Sequence, residues 1–367
     1  MSLSVGIVGL PNVGKSTLFN ALLKRQQAYV ANFPFATIEP NVGAVPVPDK
    51  RLKKLSEVVK ESENLDFLPP EIPATVEFLD IAGLIAGAHK GEGLGNKFLS
   101  HIRETDAICH VVRAFSDPDI IKEGVSDPKT DLETIETELA LADLQTLEKQ
   151  HDPGNTPDKE LQKWWAVVLK LKSALSDGKP ARSVDLNEEE TKLAKQLSLL
   201  TAKPILVVLN VNEEDLHDGN KLEIEFAKEA NLQASQVIAI SAKVESELSV
   251  LDEGDQQNYL DDLGVHESGL ERLIKKAFST LGLITFLTAG EKEVRAWTIK
   301  DGFLAPEAAG VIHTDFEKKF IKADVVDFNK FIEAPGWKAS REKGFVRIEG
   351  KKYKMCDGDV VEFKIGS

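Results

Sequence analysis

The sequence predicts an α/β fold with a helical interruption and a β-rich C-terminal region, and three observations carry this. Short apolar runs rich in β-branched residues alternate with stretches of helical spacing from Val5 to Leu99, and again from Lys203 to about residue 282. Between about 121 and 200 those runs give way to apolar residues at three- and four-residue steps. From Leu283 strand-like runs return. The boundaries are then 1–120 with 201–282 for the α/β part, 121–200 for an inserted helical, coiled-coil-like domain, and 283–367 for the C-terminal domain.

The first run, Val5 to Val8, is too short for a core helix and leads into Gly9-Leu-Pro-Asn-Val-Gly14-Lys15-Ser16, after which Thr17 to Leu23 has helical spacing. Strand, glycine loop and helix in that order are the context in which such a loop binds phosphate. Backbone N–H groups of the loop converge on phosphate oxygens, and the helix N-terminus adds partial positive charge. Asn12, Val13, Gly14, Lys15, Ser16 and Thr17 are therefore the candidate phosphate-binding set, with Lys15 on the β- and γ-phosphates and the Ser16 hydroxyl on Mg²⁺.

Asn32 to Gly43 holds two prolines and flanking aromatics, which forbid a helix. Thr37 in this loop is a turn residue or, one element after a phosphate loop, a candidate Mg²⁺ and γ-phosphate ligand. Ala74 to Asp80 reads as a strand, and an acidic residue at its C-terminal end stands where ligands bind in α/β sheets, so Asp80 is the second metal candidate. Gly83 permits close backbone approach to the γ-phosphate. Gly83, Gly87, Gly91, Gly93 and Gly95 crowd one segment, the composition of a nucleotide-dependent switch or of a surface loop. Leu84 occupies the place where many related hydrolases carry a water-orienting glutamine. His110, inside the strand-like run from Asp106 to Phe115, is either a replacement polar group or a packed core histidine.

A capping box at Thr130-Asp-Leu-Glu133 opens the helical region; a second helix runs through Leu161 to Leu171 and a third follows Asn187. Trp164 and Trp165 pack inside it or mark a partner surface. Lys203 to Asn210 is a buried parallel-type strand ending in Asn210-Val211-Asn212-Glu213, and Gln236 to Ile240 ends in Ser241-Ala242-Lys243. In the last region, strands at 283–288, 293–299 and 359–365 enclose a helix expected from Phe316 to Ala323. Residues 338–354 carry seven basic and two acidic residues, a candidate RNA footprint or a solvated edge.

The chain has 367 residues, with 45 basic and 60 acidic side chains and a formal charge of −15, which argues against a sequence-blind nucleic-acid coat. Its 42% hydrophobic content excludes a wholly disordered chain. Cys109 and Cys356 stand in no metal or redox spacing. With no apolar run of spanning length, and a first strand so near Met1 that no room is left for a signal peptide, a cytoplasmic, membrane-free protein is expected. A monomer is the expected state.

Taken together, the phosphate loop, Asn32-Phe-Pro-Phe-Ala-Thr-Ile-Glu-Pro-Asn41, the glycine segment from Asp80 to Leu99, Asn210-Val-Asn-Glu213, Ser241-Ala-Lys243, Ala289-Gly-Glu-Lys-Glu-Val-Arg-Ala-Trp-Thr-Ile-Lys300 and His313-Thr-Asp-Phe-Glu-Lys318 resemble the Obg-like ATPases, specifically their YchF subfamily. The resemblance covers essentially the whole chain. It implies a P-loop G-domain with a C-terminal TGS domain, a small ubiquitin-like fold, and association with ribosomes. It also implies ATP as the nucleotide, with Asn210, Val211 and Glu213 at the base and Ser241 and Ala242 in the second base loop. Val211 and Glu213 stand where guanine-nucleotide proteins carry Lys and Asp. Asn12 matches a K⁺-ligating asparagine of related enzymes, and His110 a histidine proposed to replace the catalytic glutamine, making Lys15, Gly83 and His110 the catalytic set. The rival expectations are a GTPase of ribosome assembly and a nucleotide-gated RNA- or ribosome-binding module with incidental hydrolysis.

Overall fold

The computed structural model describes residues 3–32, 41–81, 94–116 and 127–366. β1 (Ser4–Val8), buried along its whole length, turns into α1 (Lys15–Asn32), and β2 (Val42–Pro46) follows. The helix α2 (Lys50–Ser62) starts at Asp49, whose carboxylate caps Arg51 N, and buries Leu52, Leu55, Val58 and Val59 on one face. Next come the two-residue β3 (Glu71–Ile72), β4 (Thr75–Asp80), α3 (Leu94–Glu104) and β5 (Ala107–Ala114). The helical stretch comprises α4 (Pro128–Glu148), α5 (Lys159–Ser176) and α6 (Glu188–Lys195). Asp127, not Thr130, caps α4, because Pro128 suits the first helical position. The capping box of Asn187 and Glu190 does form on α6. β6 (Ile205–Val211), α7 (Gly219–Glu229), β7 (Val237–Ile240), α8 (Ala242–Leu248), α9 (Glu253–Asp262) and α10 (Gly269–Thr280) complete the α/β part. The C-terminal elements are β8 (Leu283–Ala289), β9 (Val294–Lys300), α11 (Ala305–Ile312), α12 (Thr314–Lys318), β10 (Phe320–Asp327), α13 (Phe328–Glu333), α14 (Gly336–Glu342), β11 (Arg347–Glu349) and β12 (Asp359–Ile365).

These elements form two units. Met1–Val45 with Glu77–Thr280 make the first, and Pro46–Val76 with Leu281–Ser367 the second. The segment carrying α2 and β3 thus packs with the C-terminal region, although in sequence it lies inside the α/β part.

In the first unit the sheet order is β2-β4-β1-β5-β6-β7. β1 pairs in parallel with both β4 and β5, and β5-β6-β7 continue in parallel. The chain leaves the central β1 toward one side and returns later on the other, which opens a crevice at the carboxyl edge. α4 lies on this sheet, where Ile135 and Leu139 share a core with Val8, Ile108 and Ile205. Farther along, Leu147 meets Val167, Val168, Leu171 and Leu175 of α5, with Trp164 and Trp165 packed against them. The chain's return is pinned by the buried Asp143 carboxylate, which accepts from Leu200 N and Thr201 N at 2.8 Å each.

In the second unit the order is β11-β10-β12-β8-β9-β3. The helix expected over 316–323 is cut short. α12 ends at Lys318, and Phe320 to Ala323 open β10, paired antiparallel with β12 and β11. Phe320, Ala323 and Val325 join Phe286, Ile299 and Val361 in the core. Arg51 of α2 is held by Asp49 at 2.9 Å, Thr285 Oγ1 at 2.8 Å and Asp357 at 2.8 Å. Among the described residues no helix is long and apolar enough to cross a membrane.

Candidate functional site

The carboxyl edge of the first unit's sheet holds a cavity of about 1330 Å³. One wall is the loop from Leu10 to Thr17; the opposite wall is Asn210 to Glu214, Ser241 to Lys243, Ser246 and Glu247, with Phe115 and Ser116 between. Every phosphate-loop residue singled out in the sequence lines it, as do Asn210, Val211, Glu213, Ser241 and Ala242.

The loop is shaped by close approach. Gly9 sits so near β5 that a Cβ would lie 2.7 Å from Val111 O. Gly14 has φ +91°, and a Cβ there would lie 2.1 Å from Asn210 Nδ2. Asn12 also takes positive φ, +63°, and is exposed. Ser16 and Thr17, at the start of α1, are exposed to the cavity. Lys15 Nζ donates to Ile81 O at 2.8 Å and to Asp80 Oδ1 at 3.2 Å, so the ammonium and the strand-end carboxylate meet beside the loop. Ser16 at the start of α1 and Asp80 at the end of β4 are both hard oxygen donors, the ligand type that suits Mg²⁺. Thr37, Gly83, Leu84 and the first glycines of the switch segment lie outside the described residues.

Asn210 ties the two walls together. Its Nδ2 donates to Val13 O at 2.9 Å, and its Oδ1 accepts from Ala242 N at 2.9 Å. Behind this wall, Tyr259 Oη donates to Glu247 Oε2 at 2.8 Å and lies 3.4 Å from Glu213 Oε1. The helix α8 is anchored by Glu245, which accepts from Gly269 N at 2.7 Å. Burial pushes its carboxyl up to about 7, although the N–H groups of Gly269 and Leu270 and the charge of Arg25 pull the other way.

His110 is not brought to the cavity. It is fully buried, facing α4, with Nε2 3.1 Å from Glu136 Oε1 but out of line for a hydrogen bond. Arg182 reaches the other oxygen of Glu136 at 2.5 Å. Burial disfavours the ionised carboxylate, yet His110 and Arg182 hold it down at about 2. The cause of this placement is the strand's alternation: Ile108, His110 and Val112 share the face covered by α4.

The basic stretch at 338–354 is less free than its composition suggests. Arg341 pairs with Glu362 at 2.8 Å, Arg347 with Asp359 at 3.4 Å and Lys354 with Asp301 at 2.9 Å. Lys338, Lys351 and Lys352 are exposed.

Phe115 and Ser116 escaped the sequence reading, although the end of a parallel strand marks such positions. Ser246, Glu247 and Tyr259 had no local signal.

Comparison with known proteins places these features. A family model described as a 50S ribosome-binding GTPase matches residues 4–151, and one for a YchF-GTPase C-terminal domain, described as a protein of unknown function, matches 283–366. The chain is 51% identical over 371 residues to the "Ribosome-binding ATPase YchF" of Bacillus subtilis, covering 99% of each. It is 48% identical to the protein of the same name from Haemophilus influenzae, again covering 99% of each. The structure of a protein named the Schizosaccharomyces pombe YchF GTPase is similar at a TM-score of 0.86 and 36% identity, covering 99% of this chain and 98% of that one.

Proposed function

The chain belongs to the YchF family of P-loop NTPases, and from that premise we propose that it is a ribosome-binding ATPase whose nucleotide state is read out by the elements around the cavity. The observation that carries the reading is one cavity bounded by a phosphate loop on one side and by Asn210 to Glu214 on the other. Phosphates sit against the loop N–H groups from Asn12 to Thr17, and Lys15 turns from Asp80 and Ile81 to the β- and γ-phosphates. Val211 and Glu213, with Ser241 and Ala242, take the base, while Asn210 holds the two base loops to the phosphate loop. Ser16, Thr37 and Asp80 hold Mg²⁺, which when bound neutralises charge on the phosphate oxygens. Asn12 offers a carbonyl to K⁺. Water attacks the γ-phosphate in line and releases ADP and phosphate; with Leu84 in the glutamine's usual place, positioning by Lys15 and the Gly83 backbone carries the catalysis.

We read α4 to α6 as the family's helical insertion and the sheet of the second unit as a TGS domain, both available to the ribosome. Lys338, Lys343, Lys351 and Lys352 are exposed cations offered to RNA. The protein acts as a cytoplasmic monomer. A titration of ATP and GTP, run with and without ribosomes, tests the reading. Tighter ATP binding and ribosome-stimulated phosphate release are expected; tight GTP binding without ATP binding overturns the base assignment in favour of the GTPase that the fission-yeast relative's name suggests. For His110 to act on the attacking water its ring has to leave Glu136. Turnover lost in His110→Ala at unchanged melting temperature supports that role, and unchanged turnover makes it a packed histidine.

A further inference from the structure

The base side of the cavity rests on a residue that does not line it. Tyr259, on α9, projects its ring into a small apolar cluster with Val244 and Leu248 of α8, Leu216 of the turn that begins at Glu213, and Leu260, Leu263 and Val265. Phenylalanine would satisfy that packing equally well. What packing leaves unexplained is the hydroxyl, which donates to Glu247 Oε2 at 2.8 Å and lies 3.4 Å from Glu213 Oε1. Glu213 and Glu247 come from segments over thirty residues apart, and both line the cavity. Two carboxylates gathered at one oxygen repel each other unless a donor lies between them.

We infer that Tyr259 is a positioning residue for base selection: its hydroxyl holds the Glu213 and Glu247 carboxylates together, so that this wall presents acceptors to the exocyclic amino group of an adenine. The discrimination lies at the 6-position, where adenine carries an N–H donor and guanine a carbonyl oxygen, so carboxylate acceptors meeting that edge favour adenine. The hydroxyl's engagement is reflected in its pKa, which the hydrogen bond to Glu247 raises from 10.0 to about 12. Tyr259 therefore stays a donor throughout the physiological range. The inference rests on the reading of Asn210 to Glu213 as the base-contacting loop.

The test is isothermal titration of ATP, GTP and inorganic tripolyphosphate against the full-length protein, Tyr259→Phe and Glu213→Gln, with steady-state ATP hydrolysis alongside. Tyr259→Phe keeps the ring and removes one hydrogen bond. Its ATP affinity and its ATP-over-GTP ratio are expected to fall by about three- to tenfold, with KM rising, kcat held and tripolyphosphate binding unchanged. An unchanged ATP-over-GTP ratio in Tyr259→Phe, or a parallel loss of tripolyphosphate affinity, overturns the inference. If Glu213→Gln shifts the ratio and Tyr259→Phe does not, the base-loop reading stands and only the inference falls. If Glu213→Gln leaves the ratio unchanged, the base-loop reading falls and takes the inference with it.

Discussion

The two walls of the cavity are built by different means. The phosphate wall is one contiguous stretch, Leu10 to Thr17, shaped by two close backbone approaches and presenting backbone N–H groups. The other wall, the one proposed for the base, is assembled from two loops and α8, held by side chains: Asn210 bonds to Ala242 N, Tyr259 to Glu247 and Glu245 to Gly269 N. The first wall therefore admits no side chain at Gly9 or Gly14, where a Cβ would clash, but asks little of the side chains between them. The second depends on the side chains themselves, so under the proposed function the first would hold any nucleotide and the second would choose among bases.

Three measurements break or sharpen this contrast. Lys15→Ala removes the one charged side chain of the phosphate wall, and steady-state phosphate release is expected to drop by about two to three orders of magnitude, whichever base the nucleotide carries. Asn210→Ala strikes both walls at once. It leaves Val13 O and Ala242 N buried without their partner, and denaturant unfolding should show about 3 kcal/mol of lost stability, with weaker binding of ATP and tripolyphosphate alike. The smallest effect belongs to the base wall's support. Glu245 binds its proton up to about 7 in the folded protein, against 4.5 for an ordinary glutamate. The stability it contributes is therefore complete below 4.5 and is lost as pH rises from there to about 7, on the order of 2 kcal/mol. Thermal unfolding across that range should show a slope that Glu245→Gln flattens, since the amide still accepts from Gly269 N but does not titrate.

The same contrast explains what could be read from the sequence. A contiguous, backbone-driven loop announces itself by spacing, so the residues from Asn12 to Thr17 were legible. Asn210, Val211 and Glu213 were legible through resemblance, but Asn210's part as a clamp between walls required coordinates. Tyr259 and Glu247 gave no signal, because their bond joins two successive helices, α8 and α9, across a turn, and no periodicity within either helix marks it. Phe316, Phe320 and Ala323 carry helical spacing, yet pairing with β12 and β11 decided for a strand from Phe320 on. His110 could be read as a replacement polar group or as a packed core histidine; strand alternation places it on the face covered by α4. Domain limits drawn from composition missed the allegiance of residues 46–76, which is set by packing and not by local texture.

That allegiance has a temporal side. Arg51 of α2 and its partner Asp357 are separated by 306 residues. At a synthesis rate of about 5–20 residues per second, α2 waits roughly 15–60 s for the last strand of its own unit. During that interval Leu52, Leu55, Val58 and Val59 have no finished core to enter, and the surrounding polypeptide has to fold past them. A chain stopped near residue 282 would keep that helix as an orphan, so the nucleotide-binding unit cannot be released early as a clean, self-sufficient product.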